Sequence, residues 1–255
     1  MARAQREVFD EVAETYERAR AGYPERLFDD VLAFAALAPG ERVLEIGAGT
    51  GKATLGFARR GCRLVCLEPG ERLAALLRER CRDQPGVEVV DARFEDFVCA
   101  PGAFAMVAAA QSMHWVDPRE AMPRSAGALR RGGTLALFWN RPLRGEGELH
   151  RAVEACYAEQ APSLAGMVAK YATRRWDEEI DASGAFGTVF QARYPFVCEY
   201  DAAGYQDLLR TQSDHRMLAE PVREALLAAV GRAIAAHGGR IRVEYRTDLL
   251  LAHRQ

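Results

Sequence analysis

Residues 43–51 decide the fold, and their sequence is VLEIGAGTG. The apolar residues at the start predict a short buried strand, and the three glycines predict a tight turn into a helix. Glycine at these places lets the backbone approach a ligand that a side chain would block. The stretch therefore predicts a strand, a turn and a helix that together cradle a nucleoside-like ligand.

The spacing of the glycines narrows the kind of ligand. The spacing is G-x-G-x-G, whereas dinucleotide sites have G-x-G-x-x-G, so a ligand with a pyrophosphate is less expected here. The phosphate-binding loop of nucleotide hydrolases would need glycine in place of Ile46 and serine or threonine in place of Ala53. The stretch therefore argues against ATP.

Two acidic residues stand at the ends of predicted strands. Glu68, followed by Pro69, closes the second apolar run about seventeen residues after Gly51, where a carboxylate accepts hydrogen bonds from both hydroxyls of a ribose. Glu45 closes the first run, and a carboxylate there suits an ammonium or sulfonium group better than a phosphate. Together the two acids favour S-adenosyl-L-methionine as the ligand.

Apolar runs alternate with amphipathic stretches between residues 40 and 140, which is typical of a parallel sheet flanked by helices. The predicted strands here are 42–46, 64–67, 87–90, 104–110 and 134–139, and the predicted helices are 52–60, 72–82 and 118–129. Outside this stretch we predict a helix over 7–20, a helical region over 146–180, strands over 193–200 and 241–253, and a helix over 221–237. Gly238-Gly239 predicts a tight return, so the final strand is expected to be antiparallel to its neighbour.

Several segments, in this order, resemble class I S-adenosylmethionine-dependent methyltransferases. Residues 45–51 with Glu68 resemble the first two motifs of the family. Residues 91–97 resemble the stretch that flanks the adenine, and residues 111–116 resemble a His-Trp segment after the fourth strand. Residues 129–135 resemble the approach to the fifth strand. The resemblance implies an α/β fold with a Rossmann-like, seven-stranded, mostly parallel sheet, an antiparallel last strand and helices on both faces. The cofactor-binding residues expected from the motifs and from an N-terminal lid are Glu45, Gly47, Ala48, Gly49, Gly51, Glu68, Pro69, Phe94, Glu95, Gln111, Tyr16 and Arg20.

Two terminal segments resemble a narrower group, the bacterial small-molecule branch of type 11 methyltransferases that includes trans-aconitate methyltransferases. They contain Tyr16, Arg20 and Tyr23-Pro24 near one end and residues 245–247 near the other. The chain departs from the family at Ala105, where an aspartate is usual. This departure removes an acid near the start of the fourth strand and puts a supporting contact in doubt, while the expected fold is unaffected.

We expect a single methyltransferase domain over residues 1–255. Its expected parts are a lid helix within 1–30, a cofactor-binding core over 40–140, a helical insertion on the substrate side over 141–190, and C-terminal strands and a helix over 191–255. The acceptor pocket is expected from Tyr16 to Tyr23, the 146–180 insertion and the 205–218 segment.

Bulk composition limits the partners. The 34 lysines and arginines are balanced by 36 acids, which gives a net charge of -2 and leaves no excess of positive charge for a nucleic acid. No apolar run approaches the ~18 residues of a membrane span, and no signal segment is evident. Six cysteines never form a C-x-x-C pair, so neither a metal site nor a disulfide framework is indicated. We expect a cytoplasmic enzyme with a small-molecule methyl acceptor and no nucleic-acid or membrane partner.

Methyl transfer is a direct displacement, so catalysis depends mostly on positioning in a dry pocket. A carboxylate acceptor arrives ionised and needs an arginine to orient it, whereas a hydroxyl or phenol gains from a base such as His114 or His215. His114 is alternatively a packing residue beside Trp115, and Asp214 is expected to cap a helix. The sequence leaves O- and N-methylation open.

Other assignments remain possible for some of these residues and for the chain. Phe94 and Glu95 are alternatively core and surface residues of a turn, and Tyr16 and Arg20 are alternatively ordinary residues of an amphipathic helix. An NAD-dependent oxidoreductase is a rival function, which binding of NADH without binding of S-adenosylhomocysteine would support. A non-catalytic protein that binds S-adenosylmethionine is the other rival, and it predicts affinity for the cofactor with no acceptor.

Overall fold

The computed structural model describes residues 9–165 and 175–255, and the chain divides into two compact units. In the described part, unit 1 comprises residues 9–21, 141–165 and 195–246, and unit 2 comprises 22–140, 175–194 and 247–255. Part of the predicted 146–180 helical region, residues 166–174, lies outside the described residues. The expected insertion therefore contributes to both units, its first part to unit 1 and its last part to unit 2.

Strands and helices alternate along most of the described chain. The strands are β1 (Arg42–Ile46), β2 (Arg63–Leu67), β3 (Val87–Val90), β4 (Phe104–Ala110), β5 (Leu129–Pro142), β6 (Phe190–Asp201) and β7 (Arg240–His253). The α-helices are α1 (Ala13–Ala19), α2 (Glu25–Ala35), α3 (Lys52–Ala58), α4 (Glu71–Arg80), α5 (Pro118–Ala128), α6 (Glu148–Gln160), α7 (Trp176–Ala182), α8 (Ala202–Arg210), α9 (Ser213–Arg216) and α10 (Glu220–Ala236). Short 3₁₀ turns cover Asp10–Val12, Met113–Trp115 and Pro162–Leu164.

The seven strands form one sheet in the order β3-β2-β1-β4-β5-β7-β6. β1 pairs in parallel with β2 and β4, β2 with β3, and β4 with β5. β7 is antiparallel to β5. Arg254, just after the end of β7, exchanges backbone hydrogen bonds with Gly132 and Gly133 near the start of β5, and the Glu244 carbonyl, early in β7, accepts from the Leu143 N–H just after the end of β5. The predicted α/β sheet of seven mostly parallel strands with an antiparallel last strand is confirmed.

The order places β1 beside β4, where the chain reverses its direction of travel across the sheet. At such a switch point the loops at the carboxyl ends of two neighbouring strands separate and leave a crevice, which is where open α/β sheets bind ligands. The loop after β1 is the glycine-rich stretch 47–51, and the loop after β4 contains Gln111. The topology therefore brings two of the predicted site segments to one edge of the sheet.

Two apolar clusters cover the two faces of the sheet in unit 2. Leu44 and Ile46 of β1 belong to one cluster and Val43 to the other, because successive side chains of a strand point to opposite faces. In the second cluster the rings of Phe28, Phe57 and Phe138 meet edge to face with centroids 5.0 to 6.4 Å apart. This packing fixes α2 and α3 against β5.

Unit 1 has its own core. Helices α6, α8 and α10 meet the first half of β7. The buried residues of this core are Val153, Ala161, Leu164, Leu209, Leu226, Leu227, Val230, Ile234, Ile241, Val243 and Tyr245. Among the described residues, no helix is both long enough and apolar enough to cross a membrane.

Several elements differ from the sequence predictions. The structure has a further helix, α2, soon after the predicted N-terminal helix, and Pro24 is its N-cap. The predicted N-terminal helix is a 3₁₀ turn followed by α1 over the residues that are described. The prediction that β5 starts at residue 134 was wrong, because the strand begins at Leu129 and accommodates its glycines through an irregular register with β4.

Candidate active site

All three loop glycines have a left-handed backbone, with φ of +64° at Gly47, +58° at Gly49 and +87° at Gly51. A side chain at Gly47 would place its Cβ 2.6 Å from the Cβ of Ser112, and one at Gly51 would place it 2.6 Å from Leu77 Cδ1. A Cβ at Gly49 would meet no atom within 4 Å. Two glycines thus serve packing inside the protein, and Gly49 alone presents an open face to a ligand.

Glu68 follows β2 and bonds directly to the glycine loop. Its carboxylate accepts hydrogen bonds from the backbone N–H of Gly49 and of Gly70, each at 2.8 Å, and only 6% of the residue is exposed. The loop is closed further by a bond from the Ala48 N–H to the Leu67 carbonyl at 3.0 Å. The acid predicted to bind a ribose therefore lies against the one open glycine, and the exposed Pro69 follows it.

Glu45 is placed differently from the expectation that its carboxylate faces the positive end of a cofactor. The side chain is buried, with Oε2 accepting a hydrogen bond from Thr54 Oγ1 at 2.7 Å and contacting Cys66 Sγ at 3.7 Å. Burial raises the pKa of this carboxyl to about 7, although the Thr54 and Cys66 bonds oppose the shift. Oε1 is buried and has no hydrogen-bond partner among the described residues, which suits an enclosed water molecule better than the charged group of a ligand.

The stretch predicted to flank the adenine divides between the core and the surface. Phe94 is 5% exposed and packs in the same apolar cluster as Leu67 and Met113. Glu95 is half-buried. The position of Phe94 agrees with the alternative in which it is a core residue of a turn, and an adenine contact from Glu95 stays a prediction.

Gln111 has a strained backbone directly after β4. Its φ of +60° is unusual for a residue with a side chain, and strain of this kind concentrates at functional sites. The backbone N–H donates to the Phe138 carbonyl at 2.9 Å, and the side-chain Nε2 donates to the Asn140 carbonyl at 3.3 Å. The next residue, Ser112, donates its hydroxyl to the carbonyl of Ile46 under the start of the glycine loop. Gln111 and Ser112 therefore tie the loop to β5.

His114 lies on the 3₁₀ turn that follows. It is exposed, and its ring contacts that of Trp115 with centroids 4.6 Å apart. This position is compatible with both roles considered for His114, a general base and a packing residue beside Trp115, so its catalytic role stays a prediction.

Arg20 and Tyr16 belong to unit 1 and contact other residues of that unit. The Arg20 guanidinium donates to both the hydroxyl and the carbonyl of Thr211, each at 2.8 Å, and its carbon lies 5.3 Å from the Tyr16 ring centroid. These bonds hold α1 against the end of α8. The described contacts thus agree with an internal structural role, and the predicted cofactor contacts of both residues remain predictions.

His215, also in unit 1, is 5% exposed and uses both ring nitrogens. Nε2 lies 2.7 Å from the Tyr157 hydroxyl and Nδ1 lies 2.8 Å from Asp214 Oδ1. Asp214 is not at the N-cap position of α9, which is Gln212, but its Oδ1 accepts the backbone N–H of His215 at 2.8 Å and so satisfies a free amide of the first turn, as expected of a cap. Sequence analysis missed Tyr157, which is 58 residues from His215 and stands in no local motif with it.

The comparisons with known proteins agree with this fold. Residues 44–137 match the methyltransferase domain family. An uncharacterized methyltransferase from Mycobacterium tuberculosis is 36% identical over 132 residues, which are 52% of this chain and 51% of the relative. The chain thus spans about half the length of that curated relative.

Solved structures share the fold over almost the whole chain. A protein from Anaeromyxobacter dehalogenans, provisionally assigned as a type II methyltransferase, has a TM-score of 0.61 and 23% identity, and covers 92% of this chain and 97% of its own. Phosphoethanolamine N-methyltransferase 2 from Haemonchus contortus, with phosphomonomethylethanolamine and S-adenosylhomocysteine bound, has a TM-score of 0.58 and 14% identity. The match covers 96% of this chain and 57% of that protein. Residues 44–137 thus match a methyltransferase domain, and the chain shares the fold of S-adenosylmethionine-dependent methyltransferases of known structure.

The site residues of unit 2 fit the cofactor of that class. The open face at Gly49 leaves room for a ligand on the loop, and the carboxylate of Glu68 lies beside it as an acceptor for hydroxyl groups.

Proposed function

We propose that the chain is a methyltransferase that binds S-adenosyl-L-methionine and transfers its methyl group to a small-molecule acceptor, at an oxygen or a nitrogen. One observation carries the proposal: a left-handed glycine with open space at its Cβ position, Gly49, is hydrogen-bonded to the acid at the end of β2, Glu68. Glycine at this position leaves room for the bound group, and Glu68 recognises its hydroxyls.

The roles of the residues in unit 2 follow from their contacts. Glu68 accepts hydrogen bonds from ribose hydroxyls, and the backbone of Gly47, Ala48 and Gly51 shapes the loop beneath the cofactor. Gln111, held on the neighbouring loop, contacts the cofactor from the other side of the crevice. When bound, the cofactor supplies an electrophilic methyl group on a sulfonium, and the chain needs no nucleophile of its own.

The acceptor is proposed to be a small metabolite, with a carboxylate as one candidate. The net charge of -2 gives no general attraction for nucleic acid, which supports a small acceptor. Two proteins of the same fold act on small molecules by their names, the phosphoethanolamine enzyme and a geranyl diphosphate C-methyltransferase from Streptomyces coelicolor. The narrower proposal, a trans-aconitate methyltransferase-like enzyme, rests on the terminal segments that contain Tyr16 and Tyr245.

His215 is the better supported of the two candidate bases. Because a carboxylate only accepts hydrogen bonds, Asp214 holds the proton on Nδ1 of the imidazole and leaves Nε2 as the acceptor for the Tyr157 hydroxyl. An imidazole fixed in this tautomer is a base at Nε2. The proposed role of His114 rests on its place after β4.

Calorimetric titration with S-adenosylhomocysteine, and with NADH as the comparison ligand, tests the cofactor. We expect saturable binding of S-adenosylhomocysteine alone, followed by methyl transfer from labelled S-adenosylmethionine to one or more acceptors in a metabolite screen. Binding of NADH alone would overturn the proposal in favour of an oxidoreductase. Binding of S-adenosylhomocysteine without any turnover in a broad acceptor screen would support a non-catalytic binding protein.

A further inference from the structure

The side-chain amide of Asn140 is bonded at both ends near the carboxyl end of β5. Its Nδ2 donates to the Gly22 carbonyl at 2.9 Å, and its Oδ1 accepts from the Thr247 hydroxyl at 2.6 Å. A backbone carbonyl can only accept, so the NH₂ group must face Gly22 and the oxygen must face Thr247. Thr247 is fully buried, and its hydroxyl would lose this acceptor if the amide were removed.

The backbone of Asn140 carries the contact to the proposed cofactor site. Its carbonyl accepts the side-chain amide of Gln111, whose backbone N–H is bonded two residues earlier, at Phe138. Gln111 needs such support because its left-handed backbone is unfavourable for a residue with a Cβ. Any shift of Asn140 therefore moves the acceptor that orients the Gln111 side chain.

The bonds continue from Gln111 to the glycine loop. Ser112 bonds the carbonyl of Ile46 and packs against Gly47, where a Cβ would come within 2.6 Å of the Ser112 Cβ. A continuous path thus runs from the buried hydroxyl of Thr247 through Asn140 and Gln111 to the start of the loop. All of these residues belong to unit 2.

We propose that Asn140, clamped by Thr247 and Gly22, is a positioning residue that holds Gln111 and the glycine loop ready for S-adenosylmethionine without touching the cofactor. The proposal rests on the proposed function, since it assumes that the loop binds this cofactor. It assigns to β5 and β7 a part in cofactor affinity that the glycine motif alone would not suggest.

The test is the dissociation constant of S-adenosylhomocysteine in matched variants of the full chain. Thr247→Val removes the hydroxyl at nearly constant volume, whereas Thr247→Ser keeps it. We expect the valine variant to bind about tenfold more weakly and the serine variant to stay within about twofold of the unaltered chain. Asn140→Ala is expected to weaken binding by about tenfold as well.

A double-mutant cycle separates positioning from a general loss of stability. If Asn140 acts through Gln111, adding Asn140→Ala to Gln111→Ala should cause little further loss of affinity. Thr134→Val is the matched control, because Thr134 is a fully buried threonine of the same strand, six residues before Asn140, and bonds His253 Nδ1 at 3.1 Å. It should lower the melting temperature and leave the dissociation constant unchanged.

The outcomes distinguish this proposal from the proposed function. Unchanged affinity in Thr247→Val and Asn140→Ala, or full additivity of Asn140→Ala and Gln111→Ala, would overturn the positioning role alone. Equal weakening by the Thr134→Val control would overturn it too, because the effect would then follow general stability. No binding of S-adenosylhomocysteine by the unaltered chain would overturn the proposed function together with it.

Discussion

A bulky side chain at Gly49 should abolish cofactor binding at a modest cost in stability. In Gly49→Val the new side chain enters open space, so it meets no atom of the protein. The free energy of unfolding should fall by about 1–2 kcal/mol, or slightly more because valine is branched, since a left-handed backbone is unfavourable for a residue with a Cβ. For a chain of this size that corresponds to a melting temperature lower by roughly 2–8 °C. The same side chain fills the face on which we expect the cofactor to lie, so the dissociation constant of S-adenosylhomocysteine should rise by at least about a hundredfold, or about 3 kcal/mol.

Gly61→Val is a control matched in backbone and surroundings. Gly61 has φ of +82°, a Cβ there would also meet nothing within 4 Å, and the residue lies in the turn between α3 and β2. Calorimetry and thermal unfolding should show similar losses of stability in the two variants and a loss of binding only in Gly49→Val. Unchanged affinity in Gly49→Val would refute the role of this face, and equal weakening in Gly61→Val would show that backbone strain alone lowers affinity.

Three further predictions concern buried groups. Burial raises the pKa of Glu45 from 4.5 to about 7. The free energy of unfolding should therefore fall by about 3 kcal/mol as pH rises from about 4.5 through 7, because the folded protein resists ionisation of this carboxyl. Chemical denaturation at several pH values should show that fall, and Glu45→Gln should remove it. Gly56→Ala puts a Cβ 2.2 Å from the Phe28 ring and should lower the free energy of unfolding by about 1–3 kcal/mol. Gly127→Ala in α5, whose Cβ would meet nothing within 4 Å, should raise it by up to about 1 kcal/mol. Equal effects of the two variants would contradict the packing argument. Tyr157→Phe leaves a buried imidazole nitrogen without its partner and should cost about 1–3 kcal/mol in urea unfolding, so an unchanged midpoint would count against that bond.

Patterns that depend on neighbouring residues predicted most of the fold. The strands over residues 42–46, 87–90 and 104–110 were predicted with their observed bounds. Strands 42–46 and 104–110 are buried parallel strands, which are nearly continuous apolar runs, and the half-buried edge strand 87–90 is rich in β-branched valine. Helix α2 was missed because a glycine and a proline after a helix are typical of its end, whereas Pro24 stands at the start of the next helix. The early start of β5 was missed because glycines are typical of breaks between elements, although Gly132 and Gly133 lie inside the strand.

The candidate site shows the same division between local and distant information. The place of Glu68 at the end of β2, after the glycine loop and α3, was predicted because one strand, one helix and a second strand fix this spacing along the chain. The burial of Glu45 under α3 was missed, since its facing residues Thr54 and Cys66 are set by helix packing. The bonds of Asn140 to Gly22 and Thr247 join residues 118 and 107 positions apart, and no pattern in the sequence indicates such pairs.

The division of the chain into interleaved segments has a consequence for protein synthesis. The bonds that hold α1 within unit 1 join Arg20 to Thr211, 191 residues later. At a translation rate of about 5–20 residues per second, α1 leaves the ribosome roughly 10–40 s before that partner has been made. During this interval Ala13 and Ala19, the buried residues of α1, have no native surface to cover them. The helix is therefore expected to take its native place only after synthesis has passed Thr211, long after the residues of the central strands have emerged.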